Sequence, residues 1–375
     1  MKHPPFSYAE PGTARQNQME AMALGNTRSL FAGAMGPDGF ISCFDHLIDE
    51  HLLRRKLILK GGPGVGKSTF MRRVHAALCA DGEPSALYFC SGDPDSLDAV
   101  CVPGRGLLIL DGTAPHIVDP QVPGARDSII NLGDCLDEAS MRPRLGHIQG
   151  VMADHRSCMR RATSCLRAAR ALSEDNAAAA AAAADETKLS RMTQALIASA
   201  LDGSAKEKHS PARARPVIAD AVTPKGEVSL IAENAPSRVI RLTGHFAFDL
   251  SAVLRAVSRA ALAAGLCTEE FLDPRCPGRL LHLGIPALDL LVTTSDRLPS
   301  ELIFDFAACL PQGSLLRHEC ALEQGLSAVQ LNLHRAAAAL KRAKELHDEL
   351  ETFYVPNMDF SLWQKKLDET LATIS

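Results

Sequence analysis

The chain has 375 residues, enough for two domains of ordinary size, and its 46% hydrophobic and 22% charged residues are those of a soluble globular protein. A net charge of −4 leaves no basic footprint for nucleic acid or an acidic membrane surface, and no apolar run approaches the roughly 20 residues that a membrane span needs. The 11 cysteines are odd in number and form no C-x-x-C pair, which argues against a disulfide framework or a zinc ribbon and points to reduced thiols in a cytoplasmic protein.

Residues 1–28 read as a polar tail without the apolar segment of a secretory leader. A nucleotide-binding core is expected over 29–147. Within it KLILKGGPGVGKST (56–69) contains the G-x-x-x-x-G-K-[ST] pattern in full. Leu57, Ile58 and Leu59 suit a buried parallel strand. After the pattern, Phe70, Met71, Val74, Ala77 and Leu78 fall on one helical face. The loop therefore joins a strand to a helix N-terminus, where backbone N–H groups and the helix dipole favour an anion. Gly61, Gly62, Pro63, Gly64, Val65, Gly66, Lys67, Ser68 and Thr69 are the predicted phosphate-binding residues. The glycines let the backbone wrap a phosphate, Lys67 neutralises charge, and the Ser68 hydroxyl is the first Mg²⁺ ligand.

SGDPDSLD (91–98) reads as a loop carrying Asp93, Asp95 and Asp98. LLILD (107–111) is a buried strand ending in Asp111, the second predicted Mg²⁺ ligand, at the carboxyl end where ligands of open α/β sheets sit. GTAPHIVDP (112–120) follows with Thr113, His116 and Asp119. Asp93, Asp95 and His116 are the candidates to orient a water or act as base on a phosphoryl acceptor. No N-K-x-D stretch is present to read guanine, so ATP is expected.

Residues 148–201 are expected to form a helical hairpin. Ile148, His155, Cys158, Ala162, Cys165 and Leu172 mark its seam, SEDNAAAAAAAADET its break and KLSRMTQALIASAL its return. A polar linker spans 202–216. A second core is expected over 217–320 and a C-terminal hairpin over 321–375, with Leu322, Leu326, Val329, Leu333, Ala336, Leu340, Ala343, His347, Leu350 and Tyr354 as its seam.

The two halves repeat. At an offset of 183 residues (Gly61 to Gly244), Leu59, Ser68, Arg72 and Val74 fall on Leu242, Ser251, Arg255 and Val257. The offset is 187 upstream (Gly36 to Thr223 begins the match) and 174 downstream (Cys135 to Cys309). In the second copy Asp249 and Leu250 stand where Gly66 and Lys67 stand in the first, Thr294 replaces Asp111, and nine residues around GTAPHIVDP are missing (183 less 174). The loop in RLTGHFAFDLS (241–251) reads as a decayed phosphate site.

Through FAGAMGPDGFISCFDHLI, LILKGGPGVGKST, CSGDPDSLDAV, LLILDGTAPHIVDP, INLGD, AVTPKGEVS and ELHDELETFYVPNMDF, the chain resembles an uncharacterised family of bacterial tandem P-loop proteins, labelled ATPase or nucleotide-binding protein. The resemblance implies two tandem α/β P-loop NTPase-like domains with parallel sheets, usually with a phosphate loop in each half. This chain departs from it in the second, degenerate half, where Asp249-Leu250-Ser251 stands for Gly66-Lys67-Ser68. The expected function is ATP binding and Mg²⁺-dependent hydrolysis at one live site, driving or gating movement of the helical hairpins or of a protein partner. The alternatives are a small-molecule kinase holding its acceptor with residues 112–120, and a non-hydrolysing nucleotide-binding scaffold.

Overall fold

A computed structural model describes residues 27–80, 82–202 and 212–374. The predicted tail at 1–26 and linker residues 203–211 lie outside the described residues, whereas residues 27–28 and 214–216 belong to strands. No helix among the described residues is long and apolar enough to cross a membrane.

The first half runs β1 (Thr27–Phe31), the hairpin β2 (Gly33–Gly36) and β3 (Gly39–Ser42), β4 (Arg55–Lys60), α1 (Lys67–Leu78), β5 (Ser85–Cys90), β6 (Asp93–Val102), β7 (Leu107–Asp111) and β8 (Asp127–Asn131). The long α2 (Leu145–Ala182) and the shorter α3 (Glu186–Ala200) follow. The second half runs β9 (Ala214–Val217), the hairpin β10 (Asp220–Thr223) and β11 (Gly226–Ser229), β12 (Arg238–Thr243), α4 (Ser251–Ala263), β13 (Thr268–Leu272), β14 (Leu280–Ile285), β15 (Leu290–Thr293) and β16 (Leu302–Asp305). It ends in α5 (Glu319–Tyr354) and α6 (Phe360–Ile374).

Two six-stranded sheets result, in the orders β1-β5-β6-β7-β4-β8 and β9-β13-β14-β15-β12-β16. Corresponding pairs run in the same sense in both, parallel except where β6 and β14 lie antiparallel to both neighbours. The expectation of wholly parallel sheets is therefore corrected. Its cause is local: β5 and β6 are joined by the two-residue turn Ser91-Gly92, which reverses the chain, so SGDPDSLD is mostly strand and not loop.

The repeat extends to single hydrogen bonds. Ser68 Oγ accepts from Leu97 N at 2.9 Å, and Ser251 Oγ from Leu280 N at 3.0 Å. Arg72 donates to Asp95 O at 2.6 Å, and Arg255 to Gly278 O at 2.5 Å. His75 and Ser85 share a buried bond at 2.9 Å, as Ser258 and Thr268 do at 3.1 Å. The halves meet antiparallel where Phe31 N donates to Ile218 O at 2.9 Å, and these two residues are equivalent in the repeat.

The long helices correct the hairpin reading. α2 and α5 pack antiparallel along one another. Ile148 and Val151 meet Leu346 and Leu350 at one end, Ala162, Leu166 and Ala169 meet Leu333, Ala336 and Leu340 in the middle, and Ala180 meets Leu322 at the other end. Cys158 and Cys165 pack along this seam, and the rings of His155 and His347 face each other across it at 6.4 Å. The expected break at SEDNAAAAAAAADET falls at its end, over residues 183–185, because α2 continues through most of the alanine run to Ala182 before α3 begins at Glu186. Packing specifies what the alanine composition alone does not: Asn176 donates to Leu322 O at 3.2 Å, and Ala180 is completely buried.

Neither shorter helix folds back on its own long helix. α3 delivers Leu196 and Ala200 to the core of the second sheet beside Leu254 and Val257. α6 delivers Trp363 and Leu367 to the core of the first beside Phe70 and Val74. The exchange is reciprocal down to the backbone, where Asp185 N donates to Cys309 O at 2.8 Å and Asp359 N to Cys135 O at 2.7 Å.

Candidate functional site

The glycine loop lies between the carboxyl end of β4 and the first turn of α1. Gly64 (φ +69°) and Gly66 (φ +81°) take left-handed backbone that a side chain would strain, and Gly66 caps α1. Val65 turns into the core, while Thr69 is exposed on the outer face of α1. Lys67 folds back over the loop, donating to Gly61 O and Gly62 O at 2.9 Å each. Its Nζ also stands 3.6 Å from Asp111 Oδ2, at the end of the adjacent parallel strand β7. Asp111 Oδ1 accepts from Thr113 N at 2.8 Å and Thr113 Oγ1 at 2.5 Å, leaving Oδ2 to the lysine. Lys67 and Asp111 are thus brought together, while Ser68 Oγ, one residue on, accepts from Leu97 N.

Behind them sits a buried polar group. β6 runs antiparallel to β7 with Ala99 opposite Leu110, a register that brings Asp98 alongside Asp111. Asp98 is 4% exposed, and its Oδ2 has no hydrogen-bond partner. Burial, then the Asp111 charge, pushes its carboxyl up to about 7. His116 faces it with Nε2 3.5 Å from Asp98 Oδ2, too far for a hydrogen bond. The imidazole stacks on Phe44 at 4.7 Å, and its Nδ1 is buried without a partner. Burial drives it down to about 4, with the Lys67 charge assisting and Asp111 opposing. The Cys90 thiol completes the group, its pKa pushed well up by burial first and the Asp98 charge second.

The remaining candidates lie elsewhere. Asp95 is exposed and paired with Lys225 at 2.7 Å, so its expected role beside the phosphates is corrected. Asp93 accepts from Ser96 at 2.8 Å and lies 3.6 Å from Lys344 on α5. Asp119 pairs with Lys60, which also donates to Gly112 O and Val118 O, fixing the 112–120 loop. Thr113 is committed to Asp111, and His116 is turned inward and 9% exposed.

Sequence reasoning missed the residues that cover the loop, all from the second half. A Cβ on Gly62 would lie 2.9 Å from the Tyr354 ring, one on Gly64 2.8 Å from Val355, and one on Gly66 3.0 Å from Trp363 Nε1. The glycines are therefore required by this packing as well as by backbone conformation. Trp363 Nε1 is buried without a hydrogen-bond partner. His347 first, and the Gly64 N–H after it, hold the Glu351 carboxyl below its usual range. The helix exchange that delivers these groups has no local signal in the chain.

The corresponding loop of the second half is occupied. Asp249 pairs with Arg279 at 3.0 Å and accepts from Ser251 N at 2.9 Å. Leu250, at the position of Lys67, is buried, and Thr294 donates to Leu281 O at 3.0 Å. Ala247 and Phe248 pack against Ala180 and Leu322. Comparison of the chain with protein-family models, with curated proteins and with solved structures gives no match, so the reading of the site rests on its own geometry.

Proposed function

We propose that the two halves are tandem P-loop NTPase-like domains and that the first binds ATP with Mg²⁺ and hydrolyses it. One observation carries this reading: Lys67, opening α1 after a glycine loop, stands 3.6 Å from Asp111 at the end of the neighbouring parallel strand. Backbone N–H groups of Gly64 to Thr69 would hold the phosphates, and the Lys67 ammonium would exchange two backbone carbonyls for phosphate oxygens. Ser68 Oγ and Asp111 Oδ2 supply hard oxygen donors of the kind Mg²⁺ takes together with water. Bound there, Mg²⁺ would neutralise charge on the phosphates. Asp98, beside Asp111 with an unpartnered oxygen, replaces Asp95 as the nearby carboxylate.

The contacts of the glycine loop with Tyr354 and Val355 at the end of α5 favour occupancy that is felt along the α2–α5 pair. The kinase reading loses support, because Thr113 and Asp119 are already engaged within the protein and the His116 ring is turned inward and buried.

Trp363, the sole tryptophan of the chain, supplies the test. Titration with ATP·Mg²⁺ is expected to change its fluorescence saturably and to be accompanied by phosphate release. Lys67→Ala should weaken the titration at least tenfold, about 1.4 kcal/mol, whereas Asp249→Ala should leave it within about twofold. Equal losses from both variants would overturn the one-site reading, and binding without turnover would leave the scaffold.

A further inference from the structure

Beside Asp98 stand a thiol, Cys90, and an imidazole, His116, whose chemistry phosphate binding does not use. Cys90 ends β5, Asp98 lies on β6 beside Asp111, and His116 comes from the loop after β7. One ligand atom from each lies within 4.8 Å of the other two. Asp98 is buried, and Phe40 and Phe44 lie against the imidazole at 4.6 and 4.7 Å. One polar atom of the group, Asp98 Oδ2, which faces His116 Nε2, is buried without a hydrogen-bond partner. A buried polar atom left unpaired costs on the order of 1–3 kcal/mol, so an unpaired carboxylate oxygen aimed at an imidazole nitrogen and a thiol needs a cause.

We infer that Cys90, Asp98 and His116 form a binding site for a transition-metal ion of the Zn²⁺ class. Around tetrahedral Zn²⁺, with bonds of about 2.0–2.3 Å, ligand atoms stand about 3.3–3.8 Å apart. The 3.5 Å between His116 Nε2 and Asp98 Oδ2 already has that spacing, and side-chain rotation of about 1 Å brings in the widest pair. A thiolate and an imidazole select Zn²⁺ over Mg²⁺, which takes oxygen donors. The site is thereby distinct from Ser68 and Asp111. Three protein ligands leave a fourth position for water, the coordination of a reactive Zn²⁺ and not of a sealed structural one. Binding would displace the thiol proton of Cys90 to solvent and place a metal ion at the unpaired carboxylate oxygen. None of this depends on nucleotide binding.

The test is metal analysis of the full chain, incubated with Zn²⁺ and gel-filtered. Wild type and Lys67→Ala are expected to retain about one Zn²⁺ per chain, while Cys90→Ser and Asp98→Asn fall at least tenfold. Co²⁺ in place of Zn²⁺ should give thiolate-to-metal charge-transfer absorption in wild type and not in Cys90→Ser. Zn²⁺ should raise the melting temperature of wild type but not of Cys90→Ser, a near-isosteric variant whose folding is read in the same melt. Wild type without Zn²⁺ or the cobalt band would overturn the assignment. So would retention of Zn²⁺ by both site variants.

Discussion

Ser68 and Ser251 occupy the same place in the two halves and accept the same backbone bond from the strand beside them. Since Ser251 does so next to a loop with leucine at the lysine position, the bond serves the fold irrespective of phosphate chemistry. Under the proposed Mg²⁺ role, Ser68 would carry two functions and Ser251 one. Ser251→Ala is expected to cost about 1–3 kcal/mol in urea unfolding and leave ATP affinity unchanged, because a buried N–H loses its acceptor. Ser68→Ala should show a similar stability loss and also lose Mg²⁺-dependent turnover. An unchanged turnover would remove Ser68 from the metal site. At this scale the glycine loop, Lys67, Ser68 and Asp111 are legible in the sequence because each is contiguous with a strand or helix it punctuates. The placement of Asp98 is not. Its neighbours Cys90, Asp111 and His116 come from three other segments, and only the antiparallel turn at Ser91-Gly92 sets their register.

Among the elements, the long helices show where periodicity informs and where it does not. The seam from Leu322 to Leu350 states which face is apolar, but the same face serves a helix's own return segment or another long helix equally well. Chain connectivity suggested the former; the structure shows the latter. The alanine run illustrates the same limit. Ala180 stands where Tyr354 stands in the other half, one against Ala247 and the other against Gly62. A small residue fits against a filled loop and a ring against a glycine one. α6 matters to the first half through two anchors, Trp363 and Leu367, which are 6% and 1% exposed within its core. Leu367→Ala is therefore expected to cost about 2–5 kcal/mol in chemical denaturation, although it lies in the last helix of the second half. A loss below about 1 kcal/mol would show that the first core is complete without α6.

At the scale of the molecule, the halves are tied by an ion group as well as by exchanged helices. Arg28 on β1 reaches Glu269 on β13 at 2.7 Å, and Arg215 on β9, the repeat equivalent of Arg28, grips the same carboxylate. Against the cost of burial, Arg28 first and Arg215 with it hold Glu269 down at about 2. A depressed carboxyl stabilises the folded state above its unfolded value of about 4.3 and loses that contribution as pH falls toward its folded value. Acid titration of unfolding free energy should show this loss between about pH 4.5 and 2 in wild type. Glu269→Gln should be destabilised by roughly 3 kcal/mol near neutrality and lack that component of the acid slope. An unaltered slope would discount the link. The repeat of the whole fold was legible because its offsets hold across strands, turns and prolines. The two-fold meeting at Phe31 and Ile218 was not, because one bridge between equivalent residues leaves no periodic trace.

The exchange of α3 and α6 also sets a schedule for synthesis. β8 closes the first sheet at Asn131, yet the helix that fills its core begins at Phe360, roughly 230 residues later. At translation rates of about 5–20 residues per second, that interval is on the order of 10–50 s. Throughout it, the surface destined for Trp363 and Leu367 is bare and apolar, a target for chaperones or for the equivalent helix of another chain. The glycine loop, although encoded early, is enclosed only when one of the last elements arrives.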